Sequence, residues 1–507
     1  METNNESFSN EKEGLISKFF KFRERKTNLK TEIIGGLITF VCMCYILPVN
    51  SGILSAMGMN TAGVFAMTAI VGALCTLIMG LVANYPISLS AGMGLNAFLT
   101  FTVALQIFGE TGNAWQKAMI TLTISGILFF VFSLTPLRAK IINAIPKDIK
   151  AIICGALGMF ICFVGLKGSG LIAANGATLV AFGQLIKPIN TINAGTVYDP
   201  SALIALVGII LVIVLMFIKT KWKSLNGFAI PITLGVCAVI SIICAYSGLN
   251  IYGGVDLLGN YNNGLVDFTD GKAWLPSGIQ DVLFFGYVGK DAPTVGFGEL
   301  LVDVLATPSA WIAMFSLIFV NLFDTTSTLI AVGRDADILD SEGQLKDGQK
   351  AVLSDAVGAL VCGPLGTSTV TSFVESTAGV AYGAKTGMAA VSSALMFLLC
   401  IFLYPIFSFF TASCVTAPAL FGVGLMIFIN NIKDIDWKNR IIAATAFIGL
   451  IFTVLTYSIS LGLGLALISY CTMMVATKKG KEVSVAIYVI AAFYLLDIIL
   501  SELLLHL

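Results

Sequence analysis

The sequence predicts an all-α polytopic membrane protein with fourteen transmembrane segments. Of its 507 residues, 57% are hydrophobic and only 11% are charged, whereas a typical soluble domain has roughly 25% charged residues. The apolar residues are grouped into segments, most of them near the length of about 20 residues that crosses a bilayer. The loops between these segments differ strongly in their content of lysine and arginine. Together these three observations indicate a protein that is largely embedded in the lipid bilayer.

The apolar segments form two groups of seven, which we number as spans 1 to 14. The first group is 32–51, 61–83, 95–108, 114–135, 149–166, 201–218 and 226–248. A polar, glycine-rich stretch at about 249–308 follows, and we interpret it as an extracellular loop. The second group is 309–332, 350–363, 373–384, 386–409, 414–430, 439–457 and 459–477. Residues 478–507 form a basic loop and an extra apolar helix at 483–505, which either spans the membrane or lies at its interface.

The distribution of basic residues predicts the topology. If residues 1–30 are a cytoplasmic tail and each span crosses once, 24 of the 29 lysines and arginines lie on the inner side. Basic loops remain cytoplasmic in membrane proteins, so we expect a multi-pass protein of the plasma membrane with a cytoplasmic N-terminus. The polar, charged N-terminus also predicts that there is no signal peptide.

An odd number of spans per group makes the second group enter the membrane from the opposite side. Two such groups would form a 7+7 inverted repeat, a common plan of secondary transporters. The segment 155–161 in span 5 weakly resembles 422–428 in span 12, and these positions correspond in such a repeat. We therefore expect an inverted repeat.

Spans 3 and 10 are short and broken, and they are partners in the predicted repeat. Each follows a proline and a cluster of small residues, at 86–98 and 364–379. Irregular backbone is tolerated at membrane depth only where protein or a cavity satisfies it. Paired interruptions of this kind are therefore a pointer to a transporter's binding site. We expect short extended pieces in both segments, although small residues also permit close helix packing.

Three acidic residues lie within the spans of the second group: Asp324, Asp355 and Glu375. A carboxylate at bilayer depth is costly and normally faces a cavity or a partner. Each can accept hydrogen bonds from a heterocycle or hold a proton, which suits a proton-coupled carrier of a neutral solute. The alternatives are a structural pair or helix cap for Asp324 and Glu375, and simple hydration for Asp355. Asn96 in span 3 is predicted to face the same pocket, unless it bonds a neighbouring helix.

Other classes of function fit the sequence less well. The only histidine is His506, and the eleven cysteines lie almost entirely in apolar runs, where they behave as small hydrophobic residues. We therefore predict no metal, no cofactor and no enzymatic activity. The chain lacks the basic stripe of a nucleic-acid-binding protein. A channel would need a water-lined path with rings of charge, which two unlike broken segments do not provide.

Four motifs resemble the azaguanine-type (AzgA-like) purine permeases of the nucleobase–cation symporter, or xanthine/uracil permease, superfamily. They lie at 31–40, 92–98, 322–329 and 366–376. The resemblance implies a core domain (31–137 and 309–409) that holds the site and a gate domain (138–248 and 410–477) that moves against it. It further implies import of hypoxanthine, guanine or adenine by proton symport.

The resemblance also implies site residues. Asp324 and Glu375 would be the two carboxylates of a purine site between spans 3, 8 and 10, with Asn96 as their partner. The same motifs supply Phe98, Thr371 and Phe373 as further substrate-binding candidates. The proton-coupling candidates are Asp324, Glu375 and Asp355. Another nucleobase (uracil or xanthine) or an anion on the same fold is the alternative substrate, and a homodimer stays open.

Overall fold

The computed structural model describes residues 15–109, 113–135, 146–191, 195–218, 228–247, 249, 251, 278–289, 293, 295–338 and 348–505. Residues 1–14 of the predicted tail, residues 252–277 of the predicted extracellular loop and His506 lie outside the described residues.

Helices occur at the position of every predicted span. In the first half they are α1 Leu15–Phe19, α2 Leu29–Met43, α3 Ile46–Ser55, α4 Thr61–Ile78, α5 Met93–Ala97, α6 Ala114–Leu134, α7 Lys147–Gly168, α8 Ser201–Phe217 and α9 Ala229–Tyr246. In the second half they are α10 Ile279–Val282, α11 Phe297–Ala306, α12 Pro308–Asp335, α13 Gly348–Val361, α14 Ser376–Tyr382, α15 Gly387–Cys400, α16 Tyr404–Ser408, α17 Ser413–Ile432, α18 Arg440–Leu455, α19 Ile459–Ala476 and α20 Val485–Leu505.

The helices give the chain the character of a polytopic membrane protein. Among the described residues, eight helical segments are both long and apolar enough to cross a membrane, and five further apolar helices are shorter. Many of their outward-facing side chains are large and hydrophobic, such as Leu81, Ile210 and Phe447. Such surfaces suit lipid rather than water. The predicted mostly helical membrane fold is therefore confirmed.

The broken segments at 86–98 and 364–379, which lead into spans 3 and 10, contain the short extended pieces that the sequence predicts. The strands of the described chain are β1 Leu89–Ala91, β2 Ile172–Asn175, β3 Leu179–Phe182, β4 Lys187–Thr191, β5 Gly195–Asp199 and β6 Val370–Ser372. Strands β1 and β6 pair antiparallel, with Ser90 opposite Thr371. After β1, α5 continues as a π-helix over Phe98–Ile107. The two broken segments thus satisfy each other's backbone groups in the protein interior.

The chain also contains two β-hairpins, so the all-α prediction is wrong in this respect. Strands β2 and β3 pair, as do β4 and β5, between α7 and α8. The first hairpin turns over Gly176, Ala177 and Thr178, and the Asn175 side chain accepts hydrogen bonds from the N–H groups of Ala177 and Thr178. An Asn side chain that bonds the backbone N–H two residues on favours a turn. Strands of four or five residues are too short to be recognised as apolar segments of membrane-spanning length.

The 249–308 stretch, predicted as a loop, contains α10 and α11 where it is described. The Phe284 N–H donates a hydrogen bond to the carbonyl oxygen of Pro364 at 2.7 Å. Gly366 lies beside Val282 and has a φ of +73°, a conformation that favours glycine. Part of this stretch therefore packs onto the segment that leads into β6.

A buried carboxylate joins the start of α2 to the start of α15. Glu32 is fully buried and accepts hydrogen bonds from the N–H groups of Lys385 at 2.8 Å and Thr386 at 3.1 Å. Thr27 donates its hydroxyl to the same carboxylate at 2.8 Å. A carboxylate suits the N-terminus of a helix because the N–H groups there lack partners within the helix. Glu32 therefore fixes two helix starts that are far apart in sequence.

Glycines allow close contact between helices from the two halves of the chain. A Cβ at Gly80 would lie 2.6 Å from the Gly387 carbonyl oxygen, and a Cβ at Gly387 would overlap the Gly80 carbonyl. Gly158 on α7 and Gly424 on α17 approach in the same reciprocal way. Small residues at such crossings let the backbones pack closely.

The extra helix α20 packs on the rest of the molecule. Its Tyr494 hydroxyl lies 2.9 Å from the Ser316 hydroxyl of α12, and both residues are buried. The Phe493 ring also meets Phe315 edge to face, with centroids 4.8 Å apart. The segment 483–505 is therefore a docked helix.

Candidate functional site

A cavity of about 280 Å³ lies at the meeting point of the two broken segments. Both halves of the chain contribute to its wall. The lining residues are Tyr45, Gly92, Met93, Gly94, Cys154, Leu157, Asp324, Thr328, Thr371, Ser372, Phe373, Val374, Glu375, Val423, Met426, Ile427, Asn430, Asn431 and Asp434. Ligand sites are commonly concave and mostly apolar, with a few placed polar groups, and this cavity has that character.

Two carboxylates line this cavity. Glu375 lies just before α14, and the Tyr45 hydroxyl, from the break between α2 and α3, donates a hydrogen bond to its Oε1 atom. Asp324 lies on α12 and lines the cavity together with Thr371 of β6. Phe373 contributes an aromatic ring to the cavity wall and is 6% exposed. The cavity therefore combines strong hydrogen-bond acceptors with an aromatic wall.

The alternation of side chains along β6 separates two acidic residues. Thr371 lies on the side of Asp324, whereas the next residue, Ser372, donates its hydroxyl towards Asp355 at 3.5 Å. The Thr325 hydroxyl also donates to Asp355, at 2.8 Å. Asp355 is fully buried and is not among the residues that line the cavity. It therefore connects α12, α13 and β6 from behind the cavity wall.

Asn96 lies in a polar cluster behind the cavity. It is fully buried and donates a hydrogen bond from Nδ2 to the Oδ1 atom of Asn50, at 3.0 Å. Asn50 in turn donates to the hydroxyls of Thr68 and Thr367 and accepts from Ser368. The cluster therefore ties α3, α4 and α5 to the segment before β6.

Four of the seven predicted site residues come together at the cavity: Asp324, Thr371, Phe373 and Glu375. The other three do not line it. Phe98 is 1% exposed and belongs to the hydrophobic core, and Asn96 and Asp355 occupy the positions just described.

Sequence reasoning missed Tyr45 and Asn50. Asn50 carried a signal, because an amide side chain within an apolar span needs a partner. Tyr45 carried none, since an aromatic residue in a membrane span is usually part of the packing.

The cavity reaches the surface at the C-terminal end of α17. Asn430 and Asp434 line it there and are both exposed. We call this exposed end of the cavity, with Asn430, Asn431 and Asp434, the mouth. On the other side, Leu157 of α7 packs against Gly94, where a Cβ would overlap the leucine side chain. The cavity is thus open on one side and closed by packing on the other.

No cluster of three or more His, Cys, Asp or Glu side chains that could hold a metal occurs within the described part of the chain. The eleven cysteines are free thiols.

Comparison with known proteins relates the chain to permeases. The sequence profile of Xan_ur_permease, described as a permease family, matches residues 30–456. The chain is 36% identical to the guanine/hypoxanthine permease PbuG of Bacillus subtilis, over 94% of this chain and 98% of PbuG. It is 31% identical to the adenine permease AdeQ of Escherichia coli, over 99% of this chain and 100% of AdeQ.

A solved structure shares the fold. The transmembrane domain of the cyanobacterial bicarbonate transporter BicA matches with a TM-score of 0.57 and 14% identity, over 87% of this chain and 97% of that one.

Proposed function

Since the chain belongs to the Xan_ur_permease family of permeases, and is thus a transporter rather than an enzyme, we propose that it imports purine nucleobases by proton symport. The observation that carries this proposal is the pair of carboxylates, Asp324 and Glu375, in one largely apolar cavity. The names of its relatives PbuG and AdeQ support a purine such as hypoxanthine, guanine or adenine.

The chemistry of a purine fits these groups. A neutral purine presents ring and exocyclic N–H donors along one edge, and a carboxylate oxygen accepts them with charge-assisted hydrogen bonds. We assign this role to Glu375, which the Tyr45 hydroxyl holds in place. The Phe373 ring would lie against a face of the base, as aromatic rings do with flat heterocycles.

The coupling proton needs a group that can bind and release it within the membrane. A carboxylate in a partly dry cavity serves this purpose because burial disfavours its charged form. Asp324 either binds the base together with Glu375 or holds the proton. Asp355 is the second candidate for the proton. It contacts Ser372 of β6, and the neighbouring residue Thr371 lies on the side of Asp324.

We propose the movement on the basis of a fourteen-span inverted repeat with a core (31–137 and 309–409) and a gate (138–248 and 410–477). Helices at all fourteen positions support it, as does the antiparallel pairing of β1 with its repeat partner β6. The reciprocal Gly158–Gly424 contact between spans 5 and 12 fits the same symmetry. The core would shift against the gate and expose the site on alternate sides of the membrane.

The charge asymmetry supports a direction for the mouth. We place the protein in the plasma membrane with its N-terminus and the loop after α17 in the cytoplasm, because that loop carries Lys433 and Lys438. The mouth would then face inward, and the conformation described here would be the one that releases substrate.

Uptake of labelled hypoxanthine by cells that express Glu375→Gln tests the proposal. Concentrative uptake should be abolished while the protein stays in the membrane, because the neutral amide is a weaker acceptor of the purine N–H groups than the carboxylate. Glu299→Gln changes an exposed carboxylate outside the cavity and should leave uptake intact. Normal uptake by Glu375→Gln would contradict the site assignment.

Two further measurements separate substrate from coupling. Competition by adenine, guanine, xanthine and uracil distinguishes a purine carrier from a carrier of another nucleobase. A protonophore should collapse accumulation, and uptake that is insensitive to it would exclude proton coupling.

A further inference from the structure

The far side of the cavity carries an aromatic cluster around Tyr457 that the proposed site does not use. The Tyr457 ring packs on the rings of Phe101, Phe160 and Phe163, with centroid distances of 5.5, 5.3 and 5.8 Å. The Lys167 ammonium lies 4.1 Å from the centroid of the same ring. The cluster is therefore centred on a single side chain from the turn between α18 and α19.

Two independent helices place this cluster opposite the mouth. Helix α18 begins at Arg440, shortly after the mouth residue Asp434, and its 16 residues carry the chain about 24 Å to the Tyr457 turn. Helix α7 also begins near the mouth, because Asp148 accepts a hydrogen bond from the Asp436 N–H at 2.8 Å. Its last turns carry Phe160, Phe163 and Lys167. The Tyr457 cluster thus lies beyond the closed side of the cavity.

The cluster joins the proposed core to the proposed gate. Phe101 belongs to the π-helical end of the core's span 3, whereas Phe160 and Tyr457 belong to the gate ranges. The Thr102 hydroxyl, also in the core, donates a hydrogen bond to the Tyr457 carbonyl oxygen at 3.2 Å. If the core moves against the gate, these contacts must break when the closed side opens.

The backbone at Tyr457 is strained. Its φ is +55°, which is uncommon for a residue other than glycine and unfavourable for a bulky one. Such conformations persist where surrounding contacts determine them, often at clamps and switches. Here the three ring contacts and the Thr102 hydrogen bond are the contacts that hold it.

We propose that Tyr457 is the outer gate of the transport path: it seals the cavity on the side opposite the mouth, and it separates from Phe101 and Thr102 to admit substrate. Leu157 against Gly94 forms the inner layer of the same seal. This inference rests on the proposed function, because it needs a core and a gate that move.

Labelling of Cys154 from outside intact cells tests the gate. Cys154 lines the cavity and is 8% exposed, so an impermeant maleimide reaches it from outside only when the outer side opens. Modification is read at this thiol by peptide mass spectrometry. Tyr457→Ala should raise the labelling rate about tenfold, since several aromatic contacts are lost at once. Tyr457→Phe keeps the ring contacts and the backbone hydrogen bond and should label like the wild type.

Control variants make the result specific. Tyr246→Ala removes an exposed tyrosine at the end of α9 and should not change labelling. Cys154→Ser in the Tyr457→Ala background should abolish the signal. If Tyr457→Ala does not reach the membrane, Lys167→Gln and Thr102→Val replace it, and each should raise the rate by about two- to fivefold as one contact is lost.

Unchanged Cys154 labelling in those variants, with normal membrane levels, would overturn the gate. A tenfold rise in Tyr457→Phe would also overturn it, because the ring contacts would then not be what closes the path. Failure of the proposed function has a different signature: wild-type cells would take up no purine, whereas the labelling difference between variants would persist.

Discussion

The hydrogen bond between Tyr45 and Glu375 leads to the most direct prediction. Tyr45→Phe removes only the hydroxyl that donates to Glu375 and keeps a ring that is 2% exposed and packed in the core. A hydrogen bond to a charged group contributes about 1.5–3 kcal/mol. If the bond orients Glu375 for the base, its loss should lower kcat/KM for purine uptake by roughly 10- to 150-fold, at 1.4 kcal/mol per factor of ten.

Initial rates of labelled hypoxanthine uptake, normalised to protein in the membrane, measure this effect. Tyr404→Phe is the matched control, since Tyr404 is a half-buried tyrosine whose hydroxyl has no hydrogen bond within the described residues, and its ring packs on Phe65. Its kcat/KM should stay near the wild-type value. A Tyr45→Phe protein within twofold of wild type, or an equal loss in Tyr404→Phe, would refute the idea that this hydroxyl positions Glu375.

Three other variants test packing, capping and coupling. Gly387→Ala should destabilise the detergent-solubilised protein by about 1–3 kcal/mol through overpacking, seen as a lower Tm, whereas Gly235→Ala has open space for a methyl group within a helix and should not lower Tm. Glu32→Gln should lower Tm because it weakens hydrogen bonds worth about 1.5–3 kcal/mol each to a charged acceptor, and the exposed Glu24→Gln should not. Asp355→Asn should bind purine almost normally, since Asp355 lies outside the cavity, but lose accumulation against a gradient; normal accumulation would remove Asp355 from the coupling candidates.

The membrane-spanning helices could be predicted from the sequence because each is determined by a continuous run of apolar residues. Apolar run length places span 6 at 201–218, and the helix occupies Ser201–Phe217. The broken spans could also be predicted, since proline and small residues interrupt apolar runs in a visible way. The hairpins at 172–199 could not be found by the same criterion, because their strands of four or five residues are far shorter than a membrane-spanning apolar run.

The site was only partly predictable because its assembly depends on three-dimensional pairing. Carboxylates in spans stand out by their energetic cost, which is why Asp324 and Glu375 could be predicted. This cost does not distinguish a carboxylate that lines the cavity from one that is buried behind the cavity wall. That distinction depends on β6, where Thr371 contacts Asp324 and Ser372 contacts Asp355. Tyr45 is an ordinary aromatic residue of span 1 in the sequence, so only the fold brings it to Glu375.

The likeness to a bicarbonate transporter's fold raises the question of an anionic substrate, and the cavity itself bears on it. Folds host many functions, and function depends on the chemistry of the site. Two unit charges about 5 Å apart interact by roughly 3 kcal/mol at the effective dielectric constant of about 20 that suits protein sites. An anion would meet one such repulsion from each of Asp324 and Glu375 that is ionised, whereas a neutral purine would meet none and could donate N–H groups to both. Two carboxylates that accept N–H groups match the donors of a nucleobase, and it is their presence in the cavity that favours a nucleobase over an anion.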